Sequence, residues 1–150
     1  MTRSAMNEAA AGGWIPGEVP PPDENTAAYW EATATHRLTV QSCSACEHLQ
    51  HPPKALCTGC GSMEHLAQTE VVGTGVVDSF TVIHRAPRPE VAVPYTIARV
   101  RLAEGPVVLT RLEPAVPGET GWTIGDPVAV DWLDLPGGRA LPYYRSAVAR

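Results

Sequence analysis

The sequence lacks the features that mark membrane proteins and many free-standing enzymes. No run approaches the roughly 18 uninterrupted apolar residues that a membrane span needs, and the N-terminus does not have the charged-then-apolar layout of a secretory signal. We therefore expect a cytoplasmic protein without a membrane segment. The G-x-S-x-G, P-loop and dinucleotide glycine motifs are also absent, so an enzyme active in isolation is not expected.

Positive charge and exposed aromatic groups are scarce as well. The formal net charge is -5, Lys54 is the single lysine, and the chain holds one Phe. Binding of single-stranded nucleic acid needs a basic track interleaved with aromatic side chains. The composition therefore argues against a nucleic-acid partner.

Proline and glycine, by contrast, are abundant, with 15 Pro and 13 Gly among 150 residues, which predicts many turns and few long helices. We divide the chain into a flexible N-terminal arm (1–22), a helix and metal ribbon (23–68), and a β-barrel with a C-terminal tail (69–150). Within the arm, Trp14 and Ile15 are the sizeable apolar residues, so the arm is either disordered or docks on a partner through Trp14.

One short helix is predicted near the N-terminus. Asp23 is a plausible N-cap, and the helix would run to about His36 with Ala27, Trp30 and Ala34 on one face. A helix of roughly three turns buries little apolar area by itself, so it must pack against another part of the protein.

The second half of the chain predicts five strands separated by breaks rich in Pro and Gly. Ala98, Val100 and Leu102 alternate with Arg99 and Arg101, as in a strand with one buried face. Two glycines in the first strand, Gly73 and Gly75, suit a bulge or a sharp coil, and five strands of this kind favour an OB-type barrel. The predicted strands are Glu70–Arg85, Tyr95–Ala103, Val107–Glu113, Val128–Leu135 and Ala140–Arg145.

The strongest chemical signal is a pair of C-x₂-C motifs, formed by Cys43, Cys46, Cys57 and Cys60. Each motif closes a tight knuckle, and the ten residues between them suffice for a hairpin that brings four sulfurs into a tetrahedron. We predict a structural Zn²⁺, with iron in the same site as the main alternative and a disulfide pair as a remote one. Four protein ligands leave no open position for a catalytic water.

Three histidines near the motifs, His48, His51 and His65, are candidate competing ligands that we expect to be exposed instead. Glu47 follows the first knuckle, where Gly is usual and where Gly61 follows the second. The first knuckle is therefore expected to be slightly strained.

Two further clusters are candidates for contact with a partner or ligand. His84, Arg85 and Arg88 adjoin a Pro-rich loop, and with the strand arginines they form either a solvated sheet face or an Arg-lined patch for a phosphate-bearing ligand or an acidic partner. Tyr143, Tyr144 and Arg145 are of types enriched at interfaces, although at least one tyrosine is expected to pack in the core.

Taken in order, these motifs resemble a family of zinc-ribbon/OB-fold proteins associated with acyl-CoA metabolism, once catalogued as a domain of unknown function. The resemblance covers about residues 23 to 146. Besides the four cysteines it is carried by Tyr29-Trp30, Pro52-Pro53-Lys54, Gly73-Thr74-Gly75-Val76, Pro94-Tyr95, Ile124-Gly125-Asp126-Pro127-Val128 and Leu141-Pro142-Tyr143-Tyr144.

The resemblance implies a mainly β fold, with an N-terminal helix and a rubredoxin-like zinc ribbon followed by a five-stranded OB-fold barrel. It also implies a non-catalytic accessory subunit of a thiolase-superfamily enzyme, such as a thiolase, an acyltransferase or a lipid-transfer-protein-type steroid aldolase. In such a hetero-oligomer the ribbon and helix would dock on the partner, through residues such as Trp30. The barrel would help to shape the acyl-CoA channel.

Two other function classes stay open at this point. One is a single-stranded nucleic-acid-binding module, because OB barrels and zinc ribbons both serve that role elsewhere. The other is a free-standing acyl-CoA carrier, which would need a deep apolar pocket in a barrel small enough to be filled by its own side chains.

Overall fold

The computed structural model describes residues 16–113 and 121–148. The N-terminal segment that it describes, residues 16–22, has no regular secondary structure. The remainder of the predicted arm, including Trp14, lies outside the described residues. No helix in the described part of the chain has the length and apolar character to cross a membrane.

The predicted helix exists but is shorter than expected, because α1 comprises only Ala27–Thr33. Asp23 caps the turn before the helix: its Oδ1 accepts hydrogen bonds from the backbone N–H groups of Asn25 and Thr26, both at 2.9 Å. The N-cap of α1 is therefore Thr26, and the chain leaves the helical region by His36, at φ 56°. The expected buried face was also wrong, since the buried residues are Tyr29, Ala32 and Thr33.

A small three-stranded antiparallel sheet follows the helix. It consists of β1 (Thr39–Cys43), β2 (Leu49–Gln50) and β3 (Leu66–Glu70), in the order β2-β1-β3. The first cysteine thus ends the central strand, which fixes one metal-ligand position to the sheet. β3 runs through the boundary predicted between residues 68 and 69, so the ribbon sheet extends to Glu70.

The five strands predicted for the barrel are confirmed, and most of their ends fall within two residues of the expected positions. They close in the order β4-β5-β6-β8-β7, with β7 paired to β4 and a parallel pairing between β6 and β8. The strands are β4 (Thr74–Ile83), β5 (Tyr95–Leu102), β6 (Val107–Glu113), β7 (Pro127–Asp134) and β8 (Ala140–Ser146).

The two glycines at the start of β4 permit close backbone approach. A Cβ on Gly75 would lie 2.4 Å from the carbonyl oxygen of Arg101, and one on Gly73, at φ +87°, would lie 2.4 Å from Cγ1 of Val130. The irregularity in the β4–β5 register lies further along the strand, between Val77 and Ser79. Gly75 therefore marks the place where β4 pairs with β5 and β7 at once, and the bulge follows it.

One hydrophobic cluster joins the barrel to the ribbon and the helix. The alternation predicted in β5 is confirmed, since Ala98, Val100 and Leu102 are buried while Arg99 and Arg101 face outward. The same cluster includes Leu38 before β1 and Tyr29 of α1. The position of the ribbon on the barrel is thus fixed by a shared core.

Candidate metal centre and contact surfaces

Two similar knuckles present the four cysteines. In each knuckle the carbonyl of the first cysteine accepts a backbone hydrogen bond of 2.8 Å, from Glu47 to Cys43 and from Gly61 to Cys57. Both donor residues have positive φ, 63° for Glu47 and 81° for Gly61. The expected strain in the first knuckle therefore has a structural basis, because a residue with a Cβ occupies the left-handed region that glycine adopts freely.

The sulfur atoms converge on one point. Sγ of Cys43 lies 3.8 Å from Sγ of Cys60, Sγ of Cys46 lies 3.6 Å from Sγ of Cys57, and all four lie within 4.8 Å of one another. A tetrahedral Zn²⁺ with Zn–S bonds of about 2.3 Å requires sulfur separations of about 3.8 Å. The donor set and its spacing thus fit zinc, and Cys43 and Cys57 anchor the site because they are buried.

The electrostatic surroundings of Cys57 favour its metal-binding form. Burial raises the pKa of this thiol, but hydrogen bonds from the backbone N–H groups of Cys60 and Gly59, together with those from the Cys46 and Cys43 thiols, hold the pKa below its usual range, and the same cluster of thiols raises the pKa of Cys46. Backbone N–H groups that point at sulfur stabilise a thiolate in the same way.

The three nearby histidines are engaged outside the sulfur cluster. His48 Nε2 lies 2.9 Å from Oγ1 of Thr58, and His65 Nδ1 lies 2.7 Å from Oγ of Ser62. His51 differs from the expectation of an exposed side chain, because its ring packs against Tyr29 with centroids 5.2 Å apart.

A buried amide network, not foreseen from the sequence, holds the loop between the knuckles. Nε2 of Gln50 donates to Oε1 of Gln41 at 2.6 Å, and Gln41 in turn bonds the backbone N–H and carbonyl of Lys54, each at 2.9 Å. Oε1 of Gln50 accepts from the backbone N–H of Thr58 at 2.8 Å. The ribbon therefore has a structural support besides its metal site.

The strand arginines are paired with carboxylates. Arg101 donates to Asp78 at 2.8 Å, and Arg99 lies 3.6 Å from the other oxygen of Asp78. Arg111 pairs with Glu113. This arrangement favours a solvated sheet face over an anion site on the outer surface of β5 and β6.

The basic residues after β4 lie in a loop and not on the sheet face. His84, Arg85 and Arg88 are all exposed there. Arg88 lies 3.6 Å from Glu90. The other contact candidates are distributed elsewhere, so the structure does not bring the seven predicted contact residues together.

Tyr143 and Tyr144 are both buried, each at 1% exposure. The sequence predicted that at least one of the two would pack in the core, and both do. The hydroxyl of Tyr143 donates to Oδ2 of Asp131 at 3.2 Å, and Arg145 Nε donates to the same oxygen at 2.7 Å. Tyr144 packs into the main hydrophobic cluster instead. Trp30 is half-buried at the surface of α1, with Cζ of Arg139 4.6 Å from its ring centroid.

Comparison with known protein families gives two adjoining matches. Residues 30–65 match the rubredoxin-like zinc ribbon domain of ChsH2, and residues 68–133 match the C-terminal OB-fold domain of ChsH2. The four-cysteine site is therefore the metal site of a rubredoxin-like zinc ribbon, and the barrel is an OB fold.

Curated relatives include subunits of acyl-CoA hydratases. The chain is 41% identical over 122 residues to a probable enoyl-CoA hydratase alpha subunit of Thermomonospora curvata. It is 35% identical over 118 residues to the 3-oxo-4,17-pregnadiene-20-carboxyl-CoA hydratase alpha subunit of Mycobacterium tuberculosis. These matches cover 81% and 78% of the chain but only 37% and 36% of the relatives, so the chain spans little more than a third of their length.

Two further similarities concern proteins described as a scaffold and as part of an aldolase. A DUF35 domain-containing scaffold protein of Pyrococcus furiosus is 38% identical over 73 residues, which is 48% of this chain and 53% of that protein. A solved structure described as an Ltp2-ChsH2(DUF35) aldolase contains a chain that is 38% identical with a TM-score of 0.74. The match covers 87% of this chain and 100% of that one.

Proposed function

This chain belongs to the ChsH2 (DUF35) family of zinc-ribbon/OB-fold proteins, and from that premise we propose that it is a non-catalytic accessory subunit of an acyl-CoA enzyme. Its partner would be a thiolase-superfamily protein, such as a thiolase, an acyltransferase or a lipid-transfer-protein-type aldolase that acts on steroid side-chain acyl-CoA esters. The hetero-oligomer would depend on this subunit for assembly and for the shape of its acyl-CoA channel.

One observation carries the proposal. The structural match extends over the full length of a chain from the Ltp2-ChsH2(DUF35) aldolase, and that description pairs two polypeptides. The word scaffold in the Pyrococcus relative's description supports the same role.

The chemistry of the described residues agrees with a supporting role. All four cysteine sulfurs converge on one site, so none is left as an acyl-accepting nucleophile. A tetrahedral ion with four thiolate ligands has no open position at which water or a thioester carbonyl could be activated. In our proposal the reacting groups therefore belong to the partner.

The substrate class comes from the relatives. Two relatives are described as subunits of CoA-ester hydratases, and one of the two is described as acting on a pregnadiene-carboxyl-CoA. Most of each hydratase subunit lies outside the match. The hydratase activity itself is therefore not assigned to this chain. The net charge of -5 opposes the nucleic-acid alternative.

The contact candidates separate into three groups by exposure. His84, Arg85 and Arg88 remain available to a partner or to the phosphates of an acyl-CoA, while Trp30 and Arg145 are half-buried. Tyr143 and Tyr144 are buried in the isolated chain, so direct docking through their rings would need rearrangement. We propose the exposed basic loop as the first surface to test.

Reconstitution tests the assignment. The purified chain and a thiolase-superfamily partner from the same host are mixed, complex formation is followed by sedimentation, and acyl-CoA cleavage and acetyl transfer are assayed for each protein alone and for the mixture. We expect turnover in the mixture only. Robust turnover by this chain alone would refute the accessory role, and full activity of the partner alone would leave the chain without the role proposed.

A pair of variants locates the contact. Arg85→Ala should weaken assembly or acyl-CoA binding by about five- to thirtyfold if the basic loop contributes as an interface hot spot. Arg101→Ala is the matched control, because its guanidinium is already paired with Asp78. Equal behaviour of both variants would move the contact away from the loop.

A further inference from the structure

A groove of about 310 Å³ lies between the helix, the segment that precedes it and the ribbon. Its lining residues come from residues 20–26, from the two aromatic residues of α1 and from residues 51–53. The groove shares no residue with the sulfur cluster or with the exposed basic loop. Most of its lining is proline and aromatic, namely Pro20, Pro21, Tyr29, Trp30, Pro52 and Pro53.

The two aromatic residues combine ring surface with free donors. Their rings meet edge to face, with centroids 5.3 Å apart and an interplanar angle of 69°. Within residues 16–113 and 121–148, neither the Tyr29 hydroxyl nor the indole N–H of Trp30 has a hydrogen-bond partner, and neither atom is enclosed. Grooves that recognise polyproline II segments have this composition, since proline rings pack on aromatic rings and the segment's carbonyls have no internal partner.

The chain already makes one contact of this kind with its own prolines. Residues 20–22 are three consecutive prolines, and the fixed φ of proline, together with the restriction on the residue before it, favours polyproline II. The carbonyl of Pro20 accepts a hydrogen bond of 2.7 Å from Nη1 of Arg139, whose guanidinium lies over the Trp30 ring. A proline run is therefore held beside this aromatic pair, and the groove lies between that run and the prolines of the ribbon.

The acidic residues around the groove favour a basic ligand. Asp23 is its acidic lining residue, and hydrogen bonds from the side chain and backbone of Thr26 keep the pKa of its carboxyl below the usual range. Those bonds use Oδ1, and Oδ2 has no partner among the residues that the structure describes. Residues 16–36 contain three further carboxylates and neither Lys nor Arg.

The positive groups near the groove do not reverse this balance. Arg139 is engaged with Trp30 and with the Pro20 carbonyl, and Lys54 follows Pro53 in the chain without lining the groove. Burial lowers the pKa of His51, the lining histidine, so its ring is neutral near pH 7. Four carboxylates against one nearby guanidinium leave an excess of negative charge.

We propose that this groove binds a proline-rich segment of another protein that carries an arginine or lysine and adopts the polyproline II conformation. Its proline rings pack against Trp30 and the groove prolines, one of its carbonyls accepts from the indole N–H, and its cationic side chain pairs with Asp23. A volume of about 310 Å³ is at the low end for ligand sites, which suits a short motif. The inference rests on the groove alone and applies whichever enzyme the chain assists.

The test uses the full-length, zinc-loaded chain and synthetic peptides. Acetyl-Pro-Pro-Leu-Pro-Pro-Arg-amide is titrated and followed by NMR at the indole N–H of Trp30 and the backbone amide of Thr26. We expect saturable shifts with a Kd of about 1 mM or tighter. Two control peptides should each bind at least about tenfold more weakly: one with glycine in place of every proline, and one with Glu in place of Arg.

A first variant tests the charge. Asp23→Asn should raise the Kd of the arginine peptide about three- to fivefold, the range of an exposed ion pair. The amide oxygen of Asn can still accept the hydrogen bonds from Asn25 and Thr26, so the turn before α1 should persist. Glu64→Gln, an exposed acid of the ribbon outside the groove, is the matched control and should bind normally.

A second variant tests the indole. Trp30→Phe keeps an aromatic ring but removes the N–H, so it should raise the Kd about fivefold or more, read at the Thr26 amide. Trp132→Phe, a half-buried tryptophan of β7, is the matched control.

Three results would overturn the proposal. Absence of saturable shifts up to about 10 mM peptide would mean that the groove is not a peptide site. Equal affinity for the proline and glycine peptides would mean that the groove reads charge alone. Sedimentation of the chain as an oligomer that the arginine peptide dissociates would replace the other protein by a second copy, because residues 85–89 of this chain contain two arginines and two prolines.

Discussion

The guanidinium of Arg139 lies over the indole ring of Trp30, with Cζ 4.6 Å from the ring centroid, and its Nη1 donates to the carbonyl of Pro20 at 2.7 Å. One side chain from the turn between β7 and β8 thus holds both the helix and the segment that leads into it. The cation–π contact and the hydrogen bond join parts of the chain that are far apart in sequence.

Arg139→Ala should release the segment of residues 16–22 while lowering the free energy of unfolding by only about 1 kcal/mol, the range of an exposed cation–π pair. Cleavage by a Glu-specific protease after Glu18 should accelerate, and cleavage after Glu70 of β3 should remain unchanged. Arg37→Ala, another arginine at the surface of this region, is the control. Unchanged protection of residues 16–22 would show that other contacts hold the segment.

Zinc should be required for the fold of the ribbon. Metal analysis should find one zinc per chain, and Cys57→Ser should abolish binding and lower the melting temperature by about 10 °C or more, because zinc binding in ribbons is part of the folding free energy. Cys57 is 1% exposed, so its replacement also places a hydroxyl in a buried position. Ser44→Ala, a change at an exposed position within the first knuckle, should retain both metal and stability. Full thermal stability under strong chelation would contradict this prediction.

Gly75→Ala should lower the free energy of unfolding by about 2 kcal/mol or more, because the added Cβ would meet the Arg101 carbonyl oxygen at 2.4 Å and the backbone must shift. Gly121→Ala is the matched control, since a Cβ there would meet nothing within 4 Å. Urea denaturation of the two variants measures the difference. Equal stabilities would mean that the start of β4 relaxes without cost.

Stability at low pH should depend on Asp131. Burial raises the pKa of this carboxyl, but hydrogen bonds from Arg145, from the backbone N–H of Trp132 and from Tyr143 outweigh burial and lower it overall. A lowered pKa in the folded state stabilises the protein above the unfolded value of about 3.9, and this contribution is lost as the pH falls through the folded value.

Asp131→Asn should therefore destabilise the protein at pH 7, by about 1 kcal/mol or less for a partly exposed ion pair. The difference from the wild type should shrink towards pH 3. Chemical denaturation at both pH values measures it, with Glu31→Gln on the exposed side of α1 as control. A difference that is the same at both values would exclude the proposed role of the carboxylate.

Much of the fold followed from short-range patterns. The Pro/Gly breaks and the alternation in β5 located the five barrel strands, because turn residues and a two-residue period act locally. The two C-x₂-C motifs predicted the metal site for the same reason, since each knuckle depends on five consecutive residues. The end of α1 was missed because Ala34 and Thr35 are compatible with a helix, and tertiary contacts at Thr33 decide where it stops.

The remaining features depend on residues distant in sequence. Gln41 and Gln50 gave no signal, because a buried amide pair looks like two polar strand residues until the strands are paired. The groove beside Trp30 could not be predicted either, since it requires the N-terminal segment, the helix and the ribbon to be in place.

The way the barrel closes has a consequence for synthesis on the ribosome. β4 pairs with β7, which follows it only after β5 and β6, whereas every metal ligand lies between Cys43 and Cys60. The barrel order places β8 between β6 and β7, so closure must wait until β8 has left the exit tunnel, but the ribbon can bind its ion before β7 and β8 are translated. We expect ribosome-bound chains truncated after β6, with the ribbon outside the tunnel, to retain zinc, and metal-free truncated chains would show that loading follows barrel closure.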